Sequence, residues 1–434
     1  MNTPRTPRHA ALAFIFVTIM LDMLAMSLVI PVLPRLVLGF MHGDTASASR
    51  VIGIFGTAWA LMQFIFSPIM GGLSDQFGRR RVILISNFGL GFDFILMALA
   101  PGIGLLFIGR IISGITGASI STSQAYIADI SPPEKRAANF GLMSVAFGLG
   151  FVLGPALGGI LGQFNPRLPF WVAAGLSLAN AMYGYFILPE SLPPEQRSKF
   201  SWRRANPAGA LRMLWVHTGL VPLASIHFLF WLSRAALVSV FVLYCTYRYH
   251  WSIAMVGLAF AVVGICSALV GGLLVKPVVS ALGERISLVI GLACGAAGMV
   301  MFGLATQPAL FWAGIPIMSL MGLATPALQG LMTQRVNPAE QGELQGAIGS
   351  VGAIAQMIGP VMFSFVFAQS ISTTPLFNTH IPGAPFFCSA ALLAAAAFVA
   401  AQIPPARGAL GSLVSPRALL YPCRHENRRR HDGV

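Results

Sequence analysis

Five ionisable side chains lie inside long apolar runs of this 434-residue sequence: Asp22, Asp93, Arg110, His227 and Arg234. In hydrocarbon an isolated charge is costly, so each must be paired, held neutral or turned toward water. The chemistry open to such a set is reversible protonation and the holding of a polar solute. Asp22 and Asp93 are the acids that fall in mid-run. Asp22 is read as a proton carrier or substrate contact in preference to a structural group, whereas Asp93 is expected to make a structural pair. Arg110 can balance a nearby carboxylate or anchor a neighbouring helix through backbone carbonyls. Arg234, after Phe228 and Trp231, has three readings: a partner for Asp22, an attractor for an anionic substrate, or a side chain that snorkels to an interface. His227, one turn before Trp231, is more often a satisfied core histidine than a proton relay.

Amphipathic solutes need apolar walls with a few polar anchors. Met26, Gln63, Gln124, Trp231, Arg234, Gln329 and Gln356 supply those types, the alternative for each being helix packing or lipid contact. The run Ser119-Ile-Ser-Thr-Ser123-Gln124 fits either a cavity wall or hydrogen bonds between helices. The five cysteines (Cys245, Cys266, Cys294, Cys388, Cys423) show neither paired nor metal-ligand spacing. No Walker sequence, HExxH or GxSxG stands in a supporting context, so no catalytic residue, metal or cofactor is expected. A polytopic enzyme or sensor therefore carries least weight.

The elements that must position these groups are membrane helices. The sequence is 56% hydrophobic and only 9% charged, against about 25% charged in soluble domains. Apolar runs of about 20 residues recur, each able to cross a bilayer. Glycine-rich runs without ten-residue alternation favour helices over a β-barrel. Twelve spans are expected, near 10–38, 51–73, 82–100, 104–128, 138–162, 168–188, 219–246, 252–274, 286–305, 309–334, 343–368 and 384–403. Residues 1–188 then form one six-helix bundle and 218–403 a second. The stretch 189–217 is a cytoplasmic linker, and 404–434 a basic, disordered cytoplasmic tail. Residues 10–34 are kept as the first span and not as a signal peptide, because the run is long and contains Asp22.

Of 27 Lys and Arg residues, 21 fall on one side of this arrangement and four (Arg35, Arg50, Arg167, Arg248) on the other; Arg110 and Arg234 lie within spans. That asymmetry places both termini in the cytoplasm. It also explains the net charge of +14 as a topology signal with lipid contact, not a nucleic-acid surface. The halves repeat at a constant offset of 205 residues: Gly78 matches Gly283, Gln124 matches Gln329, Pro133 matches Pro338, Gly141 matches Gly346, and Gly154-Pro155 matches Gly359-Pro360. A parallel duplication of six helices builds two bundles facing one cavity.

Between the second and third spans stands Gly71-Gly-Leu-Ser-Asp75-Gln-Phe-Gly78-Arg79-Arg80-Arg81. So short a connection makes an antiparallel hairpin with its tip on the cytoplasmic side. Gly71 is expected to allow close helix approach and Gly78 a turn with positive φ, while Asp75 accepts hydrogen bonds from arginines or a helix N-terminus. The bland alternative is an arginine cluster that only sets topology.

This loop resembles the one between helices 2 and 3 of major facilitator transporters. Phe147 to Gly159, with Gly154, Pro155, Gly158 and Gly159, is similar to the helix 5 signature of their drug-exporting antiporters. Gly109-Arg110 to Gly117 resembles their helix 4 motif, and Leu21-Asp22 to Pro34 their helix 1. Pro326-Ala-Leu-Gln329-Gly330 and Glu340 to Gly346 resemble the second half of the tetracycline-resistance branch. The likeness covers residues 10 to 403. It implies an inner-membrane, twelve-helix, proton-coupled exporter of small amphipathic compounds, monomeric and working by alternating access between substrate and protons. It further implies that Asp22 protonation, tuned by Arg110, competes with substrate release. The rival expectation is a proton symporter or facilitator for a nutrient. Independently of the likeness, Gly148, Gly150, Gly154, Gly158 and Gly159 lie mostly on one helical face, suited to close packing or to a hinge that Pro155 helps to bend.

Two residues of that branch are absent: helix 9 carries no carboxylate, Gly295 standing at its place, and helix 8 has Ser267 near the place of a histidine. These are the groups on which a metal–tetracycline substrate would rest. The second copy of the loop, Lys276 to Arg285, has lost its aspartate.

Overall fold

The computed structural model describes residues 8–118, 120–132, 135–200, 213–214, 218–337, 340–372 and 380–403. Among these every regular element is helical. The first half comprises α1 (Arg8–Leu28), α2 (Leu33–Phe40), α3 (Thr45–Phe77), α4 (Arg79–Leu99), α5 (Ile103–Gly117), α6 (Ile120–Ile130), α7 (Arg136–Phe164) and α8 (Leu168–Ile187). The second comprises α9 (Val221–Tyr249), α10 (Ile253–Leu269), α11 (Val275–Leu304), α12 (Pro308–Ser319), α13 (Ala324–Thr333), α14 (Gln341–Ile371) and α15 (Ala384–Gln402). The tail 404–434, most of the linker beyond residue 200, and the repeat partners Pro133 and Pro338 lie outside the described residues.

Among the described residues, eleven helical runs are long and apolar enough to cross a membrane. One of them, Ile253–Leu304, has 52 residues. At 1.5 Å per residue it would reach about 78 Å, more than twice a hydrocarbon core of about 30 Å. It breaks at Gly283 (φ 78, ψ 165) and so makes two spans. The total is twelve.

Local chemistry sets the ends. Asp44 caps α3 by accepting from the amides of Ala46 (3.0 Å) and Ser47 (3.2 Å), and Ser252 caps α10 by accepting from that of Met255. Gly78 (φ 100, ψ 148) alone separates α3 from α4, a backbone state open almost only to glycine. The duplication is visible in this geometry, since Gly78 and Gly283 are both positive-φ turns. The fourth span of each half is also interrupted at matching places, between α5 and α6 and at the 3-10 turn Leu320–Leu323 between α12 and α13.

Within each half the fifth span packs on the first: α7 on α1, and α14 on α9. The halves meet through α3 with α14 and α7 with α10. The α3–α14 seam holds Ser49 Oγ donating to the Ser364 carbonyl (2.9 Å) and Thr57 Oγ1 to that of Met357 (2.8 Å). Gly53 and Gly56 leave room there for Pro360. At the α7–α10 seam a Cβ on Gly159 would meet the Ile253 carbonyl at 2.8 Å and Gly257 Cα at 3.0 Å. All these contacts lie at the end opposite the Gly78 loop. Nearer the loop end Gln124 and Gln329 are exposed. The bundle is thus sealed at one end.

The glycine stripe of α7 serves two neighbours, not one. Gly150, Gly154 and Gly158 press on Met23, Ser27 and Leu28 of α1, whereas Gly159 and Gly162 face Ile253 of α10. Gly148 faces open space.

Candidate functional site

Asp22 sits in α1, 9% exposed, between the third and sixth spans. Asn180 Nδ2 of α8 donates to its Oδ1 at 2.8 Å and to the Thr18 carbonyl at 2.9 Å. Asn87 of α4, with its amide nitrogen turned to Asp22, donates to both carboxylate oxygens at 3.2 and 3.3 Å. Asp22 therefore lies in a cradle of neutral amides, with no ion pair among the described residues. Such a cradle lets the carboxyl exist in either protonation state, since amide groups can donate or accept after rotation. The two asparagines were invisible as partners in the sequence; their only signal was an amide inside an apolar span.

Asp93, 1% exposed, takes a hydrogen bond from Ser113 Oγ of α5. Arg110 stands one turn before Ser113 on α5, with its Nε buried and without a partner among the described residues. Asp22 is held by Asn87 and Asn180, and Arg110 forms no ion pair within 4 Å with either Asp22 or Asp93 among the described residues, so the geometry shows no direct tuning of Asp22 by Arg110. The structural pairing expected of Asp93 is the arrangement observed.

Met26 and Gln63 converge on Gly117, where an added Cβ would meet Gln63 Nε2 at 2.8 Å and Met26 Cε at 3.4 Å. Gln63 Nε2 is buried with no partner among the described residues. In the second half Trp231 and His227 lie along Gly352 of α14, and Arg234 stacks over the Trp231 ring with its guanidinium carbon 5.6 Å from the centroid. Arg234 is the fourteenth of the 29 residues of α9, about 20 Å from either end. That is too far for it to snorkel, and no carboxylate within 4 Å pairs with it among the described residues, Asp22 included. Gln356 is half-buried one turn after Gly352, while Gln124 and Gln329 lie exposed, Gln329 within 3.5 Å of Gln345. These candidates line two facing walls and do not converge on one point.

The loop at Gly78 carries the ion pairs found among the described residues. Arg79 reaches Asp75 (2.5 Å) and Asp129 at the end of α6 (3.2 Å), and its Nη1 also donates to Ser74 Oγ (2.5 Å). Glu190, just past α8, accepts from the backbone amides of Arg79 (2.9 Å), Ser191 (3.1 Å) and Leu192 (3.2 Å), so a carboxylate caps the positive end of α4. Arg197 stands 3.9 Å from Glu190. Arg80 donates to the Tyr185 carbonyl. Asp75 thus accepts from an arginine, as its position suggested, and Asp129 and Glu190 are the acids that sequence reasoning passed over. Gly71, expected at a close helix contact, faces open space; Gly72 instead takes the ring of Phe200. The linker continues over the loop, with Ser198 N donating to the Asp75 carbonyl (3.1 Å) and Phe200 N to Gln76 Oε1 (3.3 Å).

Gly295 packs against Met321, where even a Cβ would sit at 3.1 Å.

Three comparisons bear on this arrangement. The Major Facilitator Superfamily family model matches residues 15–360. The Escherichia coli tetracycline resistance protein, class C, is 37% identical over 366 residues, covering 84% of this chain and 91% of that protein, and the class E protein is 33% identical over 82% and 88%. The solved structure of peptide transporter POT shares the fold, with a TM-score of 0.72 at 15% identity over 91% of this chain and 94% of that one. Twelve spans in two repeated halves, a glycine-turned arginine loop and a likeness that runs through both halves lead to one assignment: the chain belongs to the major facilitator superfamily, on the branch of the tetracycline resistance proteins.

Proposed function

We propose that the protein is a proton-coupled exporter of small amphipathic compounds, working by alternating access in the inner membrane with both termini in the cytoplasm. The reading rests above all on the likeness to tetracycline resistance proteins, which extends over most of the chain, with the buried Asp22 as the group able to carry the proton. Asp22 is the proton carrier in this scheme. Asn87 and Asn180 hold it so that it can gain or lose a proton without breaking an ion pair, a lower barrier than separating buried opposite charges. Asp93, held by Ser113, is a fixed strut between the third and fourth spans. The excess of Lys and Arg on the Gly78 side supports the orientation, and in that orientation the sealed end is external and the described form opens inward.

The loop of Asp75, Arg79 and Asp129 is the switch that must rearrange when the other end seals. Met26, Gln63, Trp231 and Gln356 line the solute path, and Gln124 and Gln329 stand toward its inner mouth. Tetracyclines belong in the first panel of compounds, although Gly295 and Ser267 leave no metal-chelate partner of the expected kind.

The test is uptake into everted vesicles with an imposed pH gradient, guided by a drug-susceptibility panel in an efflux-deficient host. An antiporter accumulates compound when the vesicle interior is acid. Accumulation driven by an acid exterior would identify a symporter and end this reading. Asp22→Asn should abolish proton-driven accumulation while leaving the protein folded and able to bind compound; full transport by that variant would remove Asp22 from the mechanism.

A further inference from the structure

We infer that the solutes carried are amphipathic anions and that Arg234 holds their acidic group. The inference deepens the exporter reading and rests on it. The second half contains no Asp or Glu between Glu195 and Glu284, nor between Glu343 and Glu426. Its three acids between residues 218 and 403, Glu284, Glu340 and Glu343, all stand at the Gly78 end of the bundle, far from the middle of α9. The two mid-membrane acids of the first half are engaged elsewhere: Asp22 by Asn87 and Asn180, Asp93 by Ser113. Arg234 thus keeps a mid-membrane cation with no counter-charge among the described residues.

Its setting is specific. His227, Trp231 and Arg234 recur at three- and four-residue steps and share one face of α9. Neighbouring faces are spent on packing, with Ser233 bonded to Ser389 of α15 at 2.6 Å and Ala235 against Gly359 of α14. The stripe itself stays half-accessible, and Val238, one turn on, is 58% exposed. A guanidinium facing lipid at this depth would be prohibitively costly, so the stripe faces the solute path. While one end is open, water can solvate Arg234. When the path closes on a neutral or cationic solute, the guanidinium is enclosed without a partner, whereas an anion cancels the charge and pairs with a planar donor suited to carboxylates. The indole of Trp231 holds the guanidinium in place through its π face and offers apolar surface to the rest of the solute.

The experiment is equilibrium binding of 2-naphthoate and 2-naphthamide, which share a ring and differ in charge, to the purified full-length protein. The parent is expected to bind the acid about tenfold or more tightly than the amide, a difference of ~1.4 kcal/mol. R234K should keep the preference, and R234Q should reduce it to within about twofold with little change for the amide. Equal affinities in the parent, no acid binding up to about 1 mM, or a preference that survives in R234Q overturns the inference. Equal affinities or absent acid binding in the parent overturn the inference even where R234Q does not fold. Proton-driven vesicle transport is read separately: its absence sinks the exporter reading, and charge preference in binding decides the role of Arg234.

Discussion

The two halves share a backbone and differ in where they keep charge. At the offset of 205, Arg79 corresponds to Glu284 and Asp129 to Gln334. In the first half Arg79 and Asp129 form an ion pair; in the second, Gln334 Nε2 donates to Glu284 Oε2 at 2.8 Å. The same two places are joined with the polarity reversed and one charge gone. Arg80 and its counterpart Arg285 each donate to a carbonyl of the last span of their half, Tyr185 and Ala401. The second loop looked degraded for lack of an aspartate, yet its joint survives as a hydrogen bond. Backbone geometry was thus kept in both copies, and electrostatic strength in one. The same offset carries Asp22 onto His227, so a titratable group stands at matching places in both first spans.

That asymmetry can be broken from the strong side. Arg79→Ala strips Asp75, Asp129 and Ser74 of a shared donor, and bonds to charged groups contribute about 1.5–3 kcal/mol each. Proton-driven efflux should fall about tenfold or more, whereas Glu284→Ala should change it less than about twofold. Similar losses in both variants would show that the halves share the switching load. The seams offer a second comparison. Gly257→Val drives a side chain into the Pro155 carbonyl, while Gly148→Val meets open space. The first should unseal the closed end, seen as roughly tenfold faster labelling of a Thr57→Cys reporter by an impermeant maleimide, and the second should leave labelling unchanged.

The two turns sharpen the contrast. Alanine at either Gly78 or Gly283 pays for a positive φ, about 1–3 kcal/mol. At Gly78 the new Cβ also strikes the Glu190 carboxylate, while at Gly283 nothing lies within 4 Å. Gly78→Ala should therefore lower the melting temperature more than Gly283→Ala does. The smallest effect is at the cap of α3, at the sealed end. Hydrogen bonds from the Ser47 side chain, then from the Ser47 and Ala46 amides, with help from Arg50, hold the Asp44 carboxyl below its ordinary pKa. A depressed folded value stabilises above the unfolded pKa of about 3.9 and is lost as pH falls through the folded one. Asp44→Ala should speed amide exchange at residues 46–48 about fivefold at neutral pH, near 1 kcal/mol, with the difference vanishing in acid.

Much of this was legible in the chain. Apolar run length gave twelve spans because a bilayer admits few alternatives, and most helix ends fell within a few residues of the runs; α3 starts early because Asp44 caps it, and the eighth span runs on past 274 to the turn at Gly283. Gly78 could be anticipated because a turn of one residue demands positive φ. Partnership could not. Asn87, Asn180, Asp129 and Glu190 lie 50 to 158 residues from the groups they bind, and one amide or acid in a span does not say which neighbour it faces.

The sequence by itself determined the spans, their duplication and the side that carries the arginines, since these follow from hydrophobic length, identity at one offset and charge counting. Only the tertiary structure decided that Asp93 pairs with Ser113, that Asp22 rests among asparagines, that the α7 glycines face two helices and that Arg234 meets no carboxylate among the described residues. Those outcomes depend on how each helix is rotated against its neighbours. Packing between spans distant in the chain fixes that angle, and no local pattern encodes it.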